Sequence, residues 1–460
     1  MAALWMLSVS LLLGAWVIDS FISPSQPPLL NFGHLVFFDP SKVHTPSTKE
    51  EILSIVYDAL ENGHHIRVLG SGHSRLAIAL SEDVMVSLHK YRGIFKFDKA
   101  ASQVTVKGGT TIGEVVRYLD ERGLALPSLP AITDQTITGA ISTATHGTGV
   151  EFGNLATMVT GLELVTGEGE TLSLSEANHP IIFKAALVSM GLLGVITKVT
   201  LQCVPAFRLQ ESLEPLSLDD CIRQLPTLAT SGHHVKLWTE LYSGTCAVIR
   251  MNRTEQEVTG NGVMRILDIK WRLMEPFLFL SSWFQSQLPS IMRFIASYIN
   301  IFPAYSLVDK SYNVFVPTPY FPSNLQTEIA VDRSKCTDAF QLLRNMVLDN
   351  RIPVNLITEV RFVRSDDIWL SPSYQRDGCY LTLMLYNPSD KTVSSYFSAF
   401  YQELVRMNFT PRVHFGKYFD LEPHQLYDAY PRLPEFLKIR QELDPSGLFL
   451  NQLMRTTFGL

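Results

Sequence analysis

The sequence predicts an α+β protein built as two domains, over residues 31–207 and 208–460, behind a short apolar leader. Its 460 residues exceed what one hydrophobic core usually spans. Helical and strand signals alternate from about residue 43 onward. With 46% hydrophobic residues, 18% charged residues and no low-complexity tract, the chain has material for a large core, which excludes a disordered protein.

The elements follow in order. Met1 to Phe21 carries no charge before Asp19, and its apolar stretch of about 15 residues falls short of the ~20 that span a bilayer. It reads as a signal-peptide core or short anchor, with Ser23 to Pro28 as linker, so 1–28 is expected to direct the chain to the secretory pathway. Thr48 caps a helix running to about Asn62. Ile66–Leu69, Val84–Leu88 and Val104–Val106 read as strands, and Thr111 opens a helix that Gly123 closes. Met158–Val165 and Glu170–Leu174 form a hairpin around Gly167 and Gly169. Pro180–Ser189 is helical, and Gly194–Pro205 is a β-branched strand.

The second domain has strands at Leu237–Tyr242, Ala247–Met251 and Tyr380–Tyr386 and helices at Lys335–Asp349 and Val393–Met407. An insert at 271–305 is aromatic and carries no charge between Glu275 and Arg293. Pro276 and Pro289 are expected to interrupt it, so it reads as an interfacial membrane-associating segment or a buried helical hairpin.

Composition also excludes partners and chemistries. A net charge of -6 without a Lys/Arg cluster offers nothing to displace counterions from a phosphate backbone, so no nucleic acid is expected. The five cysteines show no CxxC and no zinc spacing. They read as mostly reduced, buried thiols with room for a single disulfide, and no metal is expected. There is no P-loop, no His-Glu-x-x-His and no Gly-x-Ser-x-Gly. His64–His65 and His233–His234 are adjacent pairs whose side chains diverge on a strand.

Two segments remain. Gly70, Ser71, Gly72, His73 and Ser74 follow a strand but lack the third glycine of a dinucleotide fingerprint. Read alone, this is either an anion nest suited to a pyrophosphate or a plain glycine turn with a surface histidine. Thr136 to Gly149 is dense in small and hydroxyl residues, as packing a flat cofactor against backbone requires, although tight helix packing asks for the same.

These segments, with Gly123–Leu126, resemble the FAD-binding domain of the vanillyl-alcohol oxidase / p-cresol methylhydroxylase superfamily. Glu359 to Phe362 continuing through Asp366 to Pro372, His414 to Lys417, and Leu443 to Asn451 resemble its aldonolactone and alditol oxidase branch, and the aromatic insert resembles animal L-gulonolactone oxidases, which are microsomal. The resemblance implies a two-subdomain FAD-binding domain of the p-cresol methylhydroxylase type followed by an α+β substrate (cap) domain, with the C-terminal tail returning to the flavin. It implies FAD bound covalently through His73, with Gly70, Ser71, Gly72 and Ser74 at the pyrophosphate. Ser142, His146 and Gly147 fall along the flavin and ribityl chain, and Gly194, Val195 and Ile196 on the adenine side. Glu359, Arg361 and Lys417 take the catalytic roles: polarising a hydroxyl or taking its proton, and orienting substrate.

The implied reaction is oxidation of a sugar lactone, L-gulono-1,4-lactone to the 2-keto lactone that tautomerises to ascorbate, with O2 reduced to H2O2. An alditol or other aldonolactone as substrate is the alternative, and a flavin-free membrane-associated binding protein the remote one. Read without the resemblance, Glu359-x-Arg361 is an inert cross-pair on a strand and Lys417 a solvated loop lysine. Asp366 and Asp367 read as turn and cap residues, and the resemblance implies that Asn451 returns to the first domain, with plain packing as the alternative. The expected partners are a small sugar lactone or polyol, O2 and a membrane surface, and the expected location is the endoplasmic reticulum or secretory pathway, facing the lumen.

Overall fold

A computed structural model describes residues 43–81, 83–259, 262–300, 302–316 and 322–460. The leader at 1–28 lies outside the described residues.

The first half carries two sheets. Val43–His44, Val84–Ser87 and Ile66–Leu69 pair in parallel, flanked by the helix Lys49–Asn62. Thr48 caps that helix by accepting from the Glu51 amide at 3.2 Å. The other sheet is antiparallel, in the order Ile94–Asp98, Gln103–Lys107, Val195–Gln202, Val159–Val165, Thr171–Leu174. A capping box between Thr111 and Glu114 starts the helix Ile112–Asp120, whose buried face joins the core through Ile112, Val115 and Leu119.

The second half is one eight-stranded antiparallel sheet. Its order is Tyr305–Lys310, Arg208–Ser217, Thr245–Thr254, His234–Glu240, Thr358–Val363, Gly378–Leu385, Leu325–Asp332, Arg412–Val413. The inner strands are mirrored about the His234–Glu240/Thr358–Val363 pair. On each side a strand leads into a helix (Leu218–Ala229 or Cys336–Asp349), and two further strands follow. A disulfide staples each helix to the last strand of its unit: Cys221 to Cys246, and Cys336 to Cys379. This corrects the expectation of reduced thiols. The paired cysteines are separated by 25 and 43 residues and meet only because helix packs on sheet. Cys203 stays a free buried thiol.

The insert also departs from expectation. The helix Gly262–Trp283 runs through Pro276, and Pro289 sits in the first turn of the next helix, Leu288–Phe294. A proline in a helix interior forfeits one backbone bond. Here Leu267, Trp271, Met274 and Leu278 bury a continuous stripe either side of it, which holds the helix together. The opposite face leaves Ile266, Ile269, Leu273, Trp283, Phe284 and Tyr298 exposed. Among the described residues, no helix is long and apolar enough to cross a membrane.

The C-terminal segment crosses back to the first half. The Ile66 amide donates to Leu448 O at 2.7 Å, and Asn451 Nδ2 donates to the carbonyls of Ala77 and Leu80 at 2.8 and 2.7 Å.

Candidate active site

A cavity of about 1010 Å³ opens between the two halves. One wall comes from the first domain. Backbone approach there is close: a Cβ on Gly70 would lie 2.4 Å from Thr136 Oγ1. Gly72 adopts φ 71°, which an L side chain resists. Ser71 Oγ donates to Asp134 O at 2.5 Å, and with Gly70 against Thr136 the two segments singled out in the sequence meet here. Gly70, Ser71, Gly72, His73 and Ser74 all line the cavity, as do Ser142, His146, Gly194 and Ile196. Gly147 and Val195 do not. Gly147 is pressed against Ser128 and Leu129, and Val195 points into the core around Ile52 and Val56. Burial pushes the His73 imidazole down to about 4, so it is neutral at physiological pH.

Sequence reasoning passed over Arg67. It is buried at the cavity and donates to the carbonyls of Ile78, Met190 and Phe449, knitting the turn to the C-terminal segment.

The facing wall is the inner surface of the large sheet. Glu359 and Arg361 alternate onto the same face and form an ion pair. Trp238, directly across from Glu359 in the register, donates its indole N–H to Glu359 Oε1 at 2.9 Å. Burial alone would raise the Glu359 carboxyl. The charges of Arg361 and Lys236, with the Trp238 bond, more than offset that and hold it below its usual value. It is therefore ionised at neutral pH.

Lys417 arrives on the loop after Arg412–Val413 and places Nζ 2.8 Å from Glu328 Oε2. Glu328 also accepts from Thr382 Oγ1 at 2.7 Å and faces His146 Nε2 at 3.4 Å. Burial opposes its charge, yet Lys417 and His146 keep its carboxyl well below the ordinary range. Burial pushes His414 down to about 3. His146, Glu328 and His414 bring ligand atoms within 4.8 Å of one another, a spacing that suits a cation. Lys417 already supplies the positive charge there, so the cluster reads as a hydrogen-bonded wall.

Glu328, Lys236 and Trp238 escaped the sequence reading. Lys236 and Trp238 share one strand and Glu328 lies on another, and only the sheet order brings them to Glu359 and Lys417. Asp366 lies outside the cavity lining. It accepts from Ser371, Asn154 and the Ile368 amide in a turn, while Asp367 pairs with Lys184.

These features fit FAD on one side and a small polar substrate on the other. The turn offers backbone where a phosphate group would approach, His73 lies beside it, and the charged wall stands opposite. Residues 40–175 match the FAD binding domain family, and residues 199–457 match the D-arabinono-1,4-lactone oxidase family. L-gulonolactone oxidase of Bos taurus is 32% identical over 423 residues, covering 91% of this chain and 95% of that protein. Alditol oxidase of a Streptomyces species is 28% identical over 434 residues, covering 92% and 97%. Cholesterol oxidase from B. sterolicum superposes with a TM-score of 0.75 at 15% identity, covering 93% and 96%, a likeness of fold alone. Site and family matches thus define an FAD-dependent oxidoreductase. Within that class, the chain belongs to the D-arabinono-1,4-lactone oxidase family.

Proposed function

We propose that this protein oxidises an aldono-1,4-lactone, L-gulono-1,4-lactone foremost, at the C2 hydroxyl, with O2 as the final acceptor and H2O2 as product. The observation that carries the reading is the ionised Glu359, buried beside Arg361 and facing a cavity whose other wall fits FAD. Bound FAD supplies the acceptor for the hydride leaving C2 and hands the electrons to O2.

The protein's part is to hold the substrate and move one proton. Glu359 receives the hydroxyl proton, as an ionised carboxylate at the cavity wall can. Arg361 steadies the Glu359 carboxylate and adds positive charge where negative charge develops. His73, neutral at working pH, is in the nucleophilic form that a covalent flavin link requires, and we assign the attachment to it.

We also assign the exposed aromatic face of the insert to a membrane surface. Trp283 and Tyr298 are 72% and 79% exposed, as interfacial anchors would be. A pair of disulfides and an apolar leader favour a lumenal, secretory-pathway location.

The test is an anaerobic addition of L-gulono-1,4-lactone to the purified yellow protein. The flavin's visible absorption should bleach and return on admitting air, with H2O2 formed. Xylitol, run alongside, discriminates the alditol reading that the Streptomyces relative supports. Bleaching by xylitol and by no lactone would move the assignment to polyols. A colourless protein would leave the flavin-free reading standing.

A further inference from the structure

We propose that Lys236 is a substrate-orienting residue of this site, whose ammonium group receives the carbonyl end of a lactone. The inference rests on the lactone reading above.

Lys236 lies on the His234–Glu240 strand, lines the cavity and is 5% exposed. Of the other cations on this side of the cavity, Arg361 is held by Glu359 and Lys417 by Glu328. Among the described residues, Lys236 makes no hydrogen bond or ion pair. Its contact is the Trp238 ring, with Nζ 4.9 Å from the centroid. Glu359 and Glu211 act on it through their fields without touching it. Glu211 accepts from the Tyr305 hydroxyl at 2.6 Å.

The register sharpens this. Lys236 stands directly opposite Arg361, so two like charges face each other across adjacent buried strands. Like charges in that position destabilise a sheet, and a buried ammonium without a partner is costly. The fields of Glu359 and Glu211 offset part of that cost, but neither carboxylate touches the ammonium, and such local conflicts belong to functional sites. What the ammonium lacks is an acceptor, and the cavity is where one enters.

The acceptor's chemistry follows from the neighbours. An ammonium only donates. A lactone carbonyl only accepts, so the carboxylates at the site offer it nothing. A polyol hydroxyl, in contrast, can turn and donate to Glu359 or to water. Lys236 therefore distinguishes the two substrate classes.

The experiment compares Lys236→Met and Lys236→Arg with the wild type on L-gulono-1,4-lactone and on xylitol, with flavin content and Tm measured in each. Losing a charged hydrogen bond to the ligand should raise the lactone KM in Lys236→Met by at least about tenfold, with a smaller change in kcat. Flavin content should hold, and Tm should stay close to wild type, because relief of the Arg361 clash and of the buried charge offsets the lost attraction to Glu359 and Glu211. Any xylitol KM should move by less than about threefold. Lys236→Arg keeps a donor and the charge pattern, so its lactone KM should stay within about threefold of wild type. An unchanged lactone KM in Lys236→Met, equal weakening of both substrates, or an arginine variant as impaired as methionine would overturn the proposal. A wild type that oxidises xylitol and no lactone would overturn the function reading and this inference together. A wild type that oxidises lactone with the methionine variant unaffected would overturn this inference alone.

Discussion

The wall of the cavity drawn from residues 67–146 is rich in glycines, hydroxyls and backbone groups, whereas the wall drawn from 236–417 carries the ion pairs Arg361–Glu359 and Lys417–Glu328. The first suits a large, constant guest that needs close contact and many weak donors. The second suits a small guest that must be oriented and lose a proton. The two walls belong to separate sheets, bonded to each other at Thr148 and Gly149 against Val235 and Phe362 and at Arg75 against Gly416, and each keeps its own kind of guest. Substitutions on one wall should therefore change chemistry and leave the cofactor in place, and substitutions on the other should do the reverse.

The sharpest attempt to break that division is Glu359→Gln. The amide keeps the shape and cannot take the proton, so turnover should fall by about 10²- to 10⁴-fold while flavin per chain stays at the wild-type value. Turnover near wild type would remove Glu359 from its role, and lost flavin would show the walls to be coupled. His73→Ala probes the other wall. Yellow colour that stays with the acid-precipitated wild type should be absent from the precipitated variant, and turnover should drop by about tenfold through a lower flavin potential. Release of the flavin from precipitated wild type would refute the bond. The smallest effect on catalysis belongs to Trp283→Glu combined with Phe284→Glu, exposed residues outside the cavity lining. Turnover should be unchanged, and binding to phospholipid vesicles in a flotation assay should be lost. Vesicle binding that persists would remove the insert as the membrane contact.

The same division governs what the sequence makes legible. Gly70–Ser74 and Thr136–Gly149 are contiguous runs whose unusual composition is visible before any fold is known. Their meeting, at Gly70 and Thr136, needs the fold. Position within a motif does not give direction, which is why Gly147 and Val195 sit behind the wall that their neighbours line. Glu359 and Arg361 are readable as a pair because strand alternation puts them on one face. Lys236, Trp238 and Glu328 are not, because their proximity comes from a strand order that places 234–240 beside 358–363 and 325–332 one strand further on, beyond 378–385. Cys221–Cys246 and Cys336–Cys379 are hidden for the same reason. Pro276 is a local signal that tertiary packing overrode.

The central claim, an FAD-dependent oxidase of sugar lactones, is met most directly by the anaerobic titration run as a stoichiometry. Each equivalent of L-gulono-1,4-lactone should bleach one equivalent of flavin, and air should return the colour with an equal amount of H2O2. A protein whose flavin spectrum is intact and which no aldonolactone bleaches would contradict the account.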